Sequence, residues 1–327
     1  MQQPILLGGK RGKRSELAGA LLRAAQGDVR AFERELSYRL KVVYALFVRA
    51  QSDLELANQI LGDFDRVVQL SRIRYERGEL AGGELRRIET EKLRFLEDQV
   101  AAEISLETAR AELLGLLGMP EYRDPFRVAA PSRFEGEIED IDVLATEAAS
   151  TRAEVAAQLA RREAAGWDVD FQKALGVPDL VPFVGYQRQS DLGLDTRTSF
   201  VNFGVTVGLP LFDRNQGEVS RARADLTREE ELEPAVRQQV TVEVRRARET
   251  YLRERRRIEF FEDTYLRTAQ QARDIAEAAY RMGGETLINF LDASRVYRET
   301  LHAYNRAVRD ESVARYALER ALGKEQS

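Results

Sequence analysis

The sequence predicts a mainly α-helical protein with a small β part, built from long antiparallel helical hairpins in two internal repeats. Three observations carry this prediction. Apolar residues recur at helical spacing through long stretches nearly free of proline. Two Tyr-x-x-Gly hinges, at Tyr75–Gly78 and Tyr280–Gly283, interrupt those stretches. Residues 200–211 change period, from helical to strict alternation.

The repeats emerge when the chain is offset against itself by 205 residues. Gly12 then meets Gly217, Tyr75 meets Tyr280, Gly78 meets Gly283, Leu113 meets Leu318 and Gly118 meets Gly323, without a gap. A strand-like start, a hinge and a Leu-Gly stop at one spacing are the mark of a duplicated hairpin. The first repeat occupies 1–118, a linker marked by Pro120, Pro125 and Pro131 occupies 119–138, and the second repeat occupies 139–323.

In the first repeat, residues 3–8 read as the end of a strand closed by Gly8 and Gly9, followed by a helix over about 12–74. Leu36, Leu40, Val43, Phe47, Leu54, Ile60 and Leu61 give that helix a coiled-coil-like stripe. A hinge at 75–84 and a second helix to about 117 complete it. The second repeat begins with helices at 139–174, broken near 150, and continues with strands at 178–189 and 198–211. A long hairpin over 217–323 follows, with its hinge at 280–287 and Pro234 expected to kink or loosen its first arm. Paired Gly283 and Gly284 supply cheap positive-φ backbone for the reversal.

Along the second strand the odd positions Val201, Phe203, Val205, Val207 and Leu209 are apolar, while Asn202, Gly204, Thr206 and Gly208 are small or polar. Two such strands suit either an antiparallel soluble sheet or a transmembrane barrel. An isolated hairpin is marginal in water, so the apolar face needs a cover of protein or of lipid. No helix in the sequence is apolar enough all round to be an obvious lid, and lipid is the favoured reading.

Composition excludes several function classes. Charged residues make up 32% of the chain, yet net charge is −5 with Arg interleaved among Glu and Asp, so no nucleic-acid footprint exists. With no cysteine there is no disulfide or thiolate metal site. No apolar run approaches a transmembrane helix, and no export signal follows Met1. The single histidine, His302, reads as structural or solvated. No nucleophilic triad, metal cluster or phosphate loop stands out, so the expectation is a protein without catalytic residues, metal or cofactor.

The segments Leu209-Pro-Leu-Phe-Asp-Arg-Asn-Gln-Gly217, Tyr280-x-x-Gly283 with Leu291-Asp-Ala-x-Arg295, and Leu318-x-x-x-Leu-Gly323 resemble the TolC-like outer-membrane efflux factors, heavy-metal and multidrug branch. The first repeat matches through Pro4–Gly12, Tyr75-x-x-Gly78 and Leu113-x-x-x-Leu-Gly118. The resemblance implies a homotrimer with a β-barrel in outer-membrane lipid and an α-helical barrel in the periplasm. It would serve as a passive duct for metal ions or small toxic compounds, coupled to a periplasmic adaptor and an inner-membrane pump. Against that pattern a leading helix, a strand and the export signal are missing, so the sequence reads as N-terminally truncated.

By the same resemblance the hinges form a periplasmic gate. Tyr280 matches the gate tyrosine, Tyr75 is its first-repeat counterpart, and Glu84 falls where some members carry aspartate. Glu285 stands where some carry arginine. A Tyr280–Glu84 hydrogen bond would be a reversible latch; plain hinge packing is the blander alternative for both tyrosines. Gly78, Leu80, Gly283, Gly284 and Leu287 are the expected adaptor-docking tips. Two other classes remain open from the sequence: a periplasmic adaptor, and a cytosolic coiled-coil scaffold.

Overall fold

The computed structural model describes residues 3–131, 140–190 and 197–323. Helix α1 (Lys10–Glu76) and helix α2 (Gly82–Leu116) form the first hairpin. Helices α3 (Ile141–Thr151) and α4 (Ala153–Leu175) lead to strands β1 (Leu180–Ser190) and β2 (Arg197–Val207). Helix α5 (Gln216–Phe260), a π-helical turn (Phe261–Tyr265) and helix α6 (Leu266–Arg281) descend to the second hinge, and α7 (Leu287–Leu322) returns. The chain divides into two compact units, Met1–Glu33 with Ala145–Val242 and Arg34–Leu144 with Glu243–Ser327. Each unit draws on both halves of the sequence.

The hinges are alike in backbone detail. Gly78 and Gly283 both have φ of 76°, and Gly118 and Gly323 both have φ of 70°. The Gly78 N–H donates to the Tyr75 carbonyl and Glu79 N–H to Arg74; at the second hinge Gly283 donates to Tyr280 and Gly284 to Ala279. These are Schellman caps, in which a left-handed residue lets two N–H groups turn back onto carbonyls the helix has left open. A Cβ at either glycine would be strained in that conformation.

In the second unit the hinge end is held by one apolar cluster. Phe64, Val67 and Val68 of α1 meet Leu85, Ile88 and Phe95 of α2, Tyr280 of α6, and Leu287 and Phe290 of α7. Along α2 the buried positions Ile88, Phe95, Ala102 and Ala109 recur at heptad spacing, so one seam faces its neighbours throughout. Farther from the hinge, Val43, Phe47 and Ala50 of α1 pack on Ala109 and Leu113 of α2. The described part of the linker lies along α1 here, with Phe126 stacked on Phe47 at 5.2 Å between ring centroids. Gln51 exchanges two hydrogen bonds with the Val128 backbone. Residues 132–138 of the expected linker lie outside the described residues.

In the first unit, α4 crosses α1 closely at Gly27. A Cβ there would lie 2.8 Å from the Ala157 Cβ, so only glycine permits this approach. Ion pairs Arg23–Glu163 and Arg161–Asp28 flank the crossing. Strands β1 and β2 are antiparallel with Val184 opposite Phe203 and Pro182 opposite Val205. Residues 3–7 add to the other edge of β1 through Ile5, whose N–H and carbonyl both pair with Leu180. The expected strand end at 3–8 is therefore a single bridge plus the bond from Gln3 N–H to the Pro182 carbonyl.

Two sequence expectations need correction. Strand β2 stops at Val207, so Leu209 lies beyond it; Pro210 has no N–H to continue a ladder. Helix α3 extends through Thr151, past the expected break near 150, and Arg152 separates it from α4 in extended conformation. Helix α5 runs through Pro234 to Phe260. A π turn follows at Phe261–Tyr265, where Tyr304 of α7 donates to Glu262 at 2.7 Å.

Candidate functional site

Two regions could carry function: the β ribbon and the hinge end. In the ribbon, directly opposed residues share a face. Leu180, Pro182, Val184 and Tyr186 of β1 therefore join Val207, Val205, Phe203 and Val201 of β2 on one face. Phe203 is 82% exposed, and Val201, Val205, Val207 and Leu209 are exposed as well. The opposite face pairs Val181 with Thr206, Phe183 with Gly204 and Gly185 with Asn202. There the Phe183 ring lies over Gly204 so closely that an added Cβ would sit 2.7 Å from it. Gly204 is thus small because an aromatic ring covers its backbone.

At the ribbon's base, the Lys10 ammonium donates to the Val177 carbonyl at 2.7 Å and to Asp179 Oδ1 at 2.6 Å, and the same oxygen accepts from Leu7 N–H. On the other side Asn215, at φ of 64°, donates to the carbonyl and side chain of Gln172. Gly176 lies against the Arg214 carbonyl, 2.6 Å from where a Cβ would be. Asp213–Gly217 is therefore a strand-to-helix junction. The Lys10–Asp179 clamp had no local signal in the sequence, because its members are far apart in the chain.

At the hinge end the expected residues separate into two groups. Tyr280 is only 3% exposed: its ring stacks on Phe290 at 5.7 Å, and its hydroxyl lies 3.4 Å from Ser71 Oγ. The Arg74 guanidinium covers the ring from 5.7 Å. Within the chain the Tyr280 hydroxyl neighbours Ser71 of α1 and not Glu84. Leu80 and Leu287 are buried in the same cluster. Tyr75, by contrast, is exposed and packs over Gly82. Gly78, Gly283 and Gly284 are exposed, while Glu84 and Glu285 are half-buried. Glu285 accepts from the Thr286 N–H and from Asn289 Nδ2 at the start of α7, where a carboxylate complements the helix N-terminus. Sequence reasoning missed Met282, 80% exposed at the turn, and Ile288, exposed in the first turn of α7. Apolar side chains beside the paired glycines of the turn were their only signal.

His302 lies between helices. Its Nδ1 is 3.3 Å from Asp53 Oδ1, the same oxygen that accepts from Asn305 at 2.8 Å, while Arg49 pairs with Oδ2 at 3.1 Å. Burial pushes the Asp53 carboxyl up, but hydrogen bonds from His302 and Asn305 and the Arg49 charge outweigh it, holding the group below its ordinary range. This ties α1 to α7. Among the described residues no cluster of His, Asp and Glu is arranged for a metal ion, and no helix is long and apolar enough to cross a membrane.

Two hinges of like backbone geometry between long helices, and a two-stranded ribbon with an exposed apolar side, define a class: long helical hairpins that carry a small β ribbon. The profile of the outer membrane efflux protein family matches residues 144–324, more than half of the chain. The chain is similar to the cobalt-zinc-cadmium resistance protein CzcC of Cupriavidus metallidurans, with 27% identity over 99% of this chain and 76% of that one. Its fold is that of the Vibrio cholerae outer membrane protein VceC, with a TM-score of 0.79 and 23% identity over 98% of this chain and 78% of VceC. CusC, whose structures concern transmembrane channel formation, gives a TM-score of 0.81 at 18% identity over 99% and 76%. The chain belongs to the outer membrane efflux protein family. It is an efflux channel component, which decides against the adaptor and scaffold readings.

Proposed function

We propose that the chain is the outer-membrane duct of a tripartite efflux system that exports divalent metal cations. The observation that carries the membrane part is the ribbon, where Val184, Val201, Phe203, Val205 and Val207 lie exposed on one face together with half-buried Leu180 and Pro182. In water such a ribbon would be marginal; in a closed barrel that face meets lipid and the backbone edges are paired. Three copies around one axis complete the barrel, with outer-membrane lipid around it. Similarity to a cobalt-zinc-cadmium resistance protein over nearly the whole chain supports the cargo. Identical Schellman caps at the two hinges support the internal duplication.

At the hinge end, Gly78, Gly283 and Gly284 with exposed Met282 and Ile288 form the docking tip for a periplasmic adaptor, through which an inner-membrane pump supplies the energy. Leu80 and Leu287 hold that tip from within. Tyr75, Glu84 and Glu285 are the gate groups left to face a neighbouring copy, while Tyr280 and Ser71 brace the gate from inside. With its adaptor and pump in a Gram-negative host, the protein should appear as heat-modifiable trimers in the outer-membrane fraction and raise tolerance to cobalt, zinc or cadmium. Trimers without any gain in metal tolerance would reject the cargo. A soluble monomer would reject the duct.

A further inference from the structure

Helix α2 has two apolar sides. Its heptad seam of Ile88, Phe95, Ala102 and Ala109 is buried within the chain, while Leu93, Leu96, Val100 and Ile104 form a second stripe, roughly opposite and exposed. Ile104 is 63% exposed. An amphipathic helix needs only one such stripe; a second implies a second neighbour. Acidic groups border it: Glu97 and Glu103 make no hydrogen bond or ion pair among the described residues, and Glu107 pairs only with Arg110 of its own helix.

The end of α5 is the complement. Val244, Tyr251 and Ile258 are buried at heptad spacing. The opposite face carries Arg246, Arg253, Arg256 and Phe260, and Phe260 is 64% exposed. The side chains of those three arginines make no ion pair among the described residues, although most charges around them are paired. Arg253, Arg256, Arg257, Phe260, Phe261 and Tyr265 line an open hollow of about 440 Å³ where the π turn widens the helix.

We propose that these surfaces meet between copies of this chain, the acidic apolar stripe of α2 on one protomer packing into the basic aromatic hollow of α5 and the π turn on the next. The proposal rests on the ring assembly proposed above. A rotational ring keeps equivalent hinges at one height, which fixes the register. Phe260 lies as many residues from the hinge end at Arg281 as Glu103 lies from the hinge end at Gly82, and the same holds for Arg256 and Glu107. With an α-helical rise of about 1.5 Å per residue, and only a small offset from the five-residue π turn, Ile104 comes level with Phe260 at the hollow, and Arg256 with Glu107. The two surfaces differ, so the contact is head-to-tail and repeats until the ring closes.

The chain has no cysteine of its own, so introduced pairs report cleanly. Outer membranes carrying Ile104→Cys with Phe260→Cys should, on mild oxidation, give covalent trimers on non-reducing gels. Leu93→Cys with Phe260→Cys, displaced by about three helical turns, should not. Arg253→Glu with Arg256→Glu should lower the temperature at which trimers dissociate, and adding Glu103→Arg with Glu107→Arg should recover most of the loss. Intact heat-modifiable trimers with no 104–260 link, or equal linking by the displaced pair, would overturn this interface. Absence of trimers from the unsubstituted protein would overturn the ring reading itself.

Discussion

Placing an arginine on each face of β2 tests the membrane reading most directly. Phe203 stands opposite Val184 on the bare face, and Thr206 stands opposite Val181 on the other. If lipid covers the bare face, the Phe203 side chain leaves water almost completely, since the described chain leaves it 82% exposed. Its removal in Phe203→Ala then costs about 1.5–3 kcal/mol. An arginine near the bilayer midplane costs a further 2–4 kcal/mol or so, about 30- to 700-fold in the folding equilibrium. Thr206→Arg points away from lipid and should stay within about 0.5 kcal/mol. Denaturant titration of the protein in lipid vesicles, followed by trimer mobility, reads all three variants. Equal cost at 203 and 206 would refute the lipid face, and a harmless Phe203→Arg would refute insertion of this strand.

Three further outcomes follow from the second unit. Gly283→Ala places a Cβ at φ of 76° and should cost about 1–2 kcal/mol, with Gly78→Ala matching it; thermal unfolding of each variant checks both. Asp53→Asn should be less stable than the parent at neutral pH, because a carboxyl held below its ordinary value stabilises the fold above the unfolded pKa and loses that contribution as pH falls through the folded one. The gap should therefore close below about pH 4; a gap independent of pH would mean Asp53 acts by shape alone. Tyr280→Phe gives up only the hydroxyl contact with Ser71, about 0.5–1.5 kcal/mol, whereas Tyr280→Ala empties a stacked site at about 3–5 kcal/mol. Single-channel conductance that rises in the phenylalanine variant would restore the hydroxyl to the gate; unchanged conductance leaves it as bracing.

Much of the architecture was legible in one dimension. Long helices announce themselves by a period sustained over many turns, and the two hinges by glycines that must adopt positive φ. The alternation declared a strand with one apolar face, found over the part up to Val207, because a period of two admits no other regular structure. The offset of 205 residues that pairs Gly78 with Gly283 needed only counting, and the backbone bonds at both hinges follow the same pattern. Such features are local, each set by a few neighbouring residues.

What the tertiary structure decided was which equivalent residue is buried. Tyr75 and Tyr280 occupy matching places in sequence, yet one is exposed over Gly82 and the other is stacked on Phe290 beneath Arg74. The difference comes from partners on other helices, Ser71 of α1 among them, brought together only when four helices pack at one end. The same applies to Leu80 and Leu287, expected among the docking tips and found buried in the hinge cluster, and to the clamp of Lys10 on Asp179. Periodicity states that a helix has an apolar side. Only packing states what lies against it, because burial depends on contacts between residues far apart in the chain.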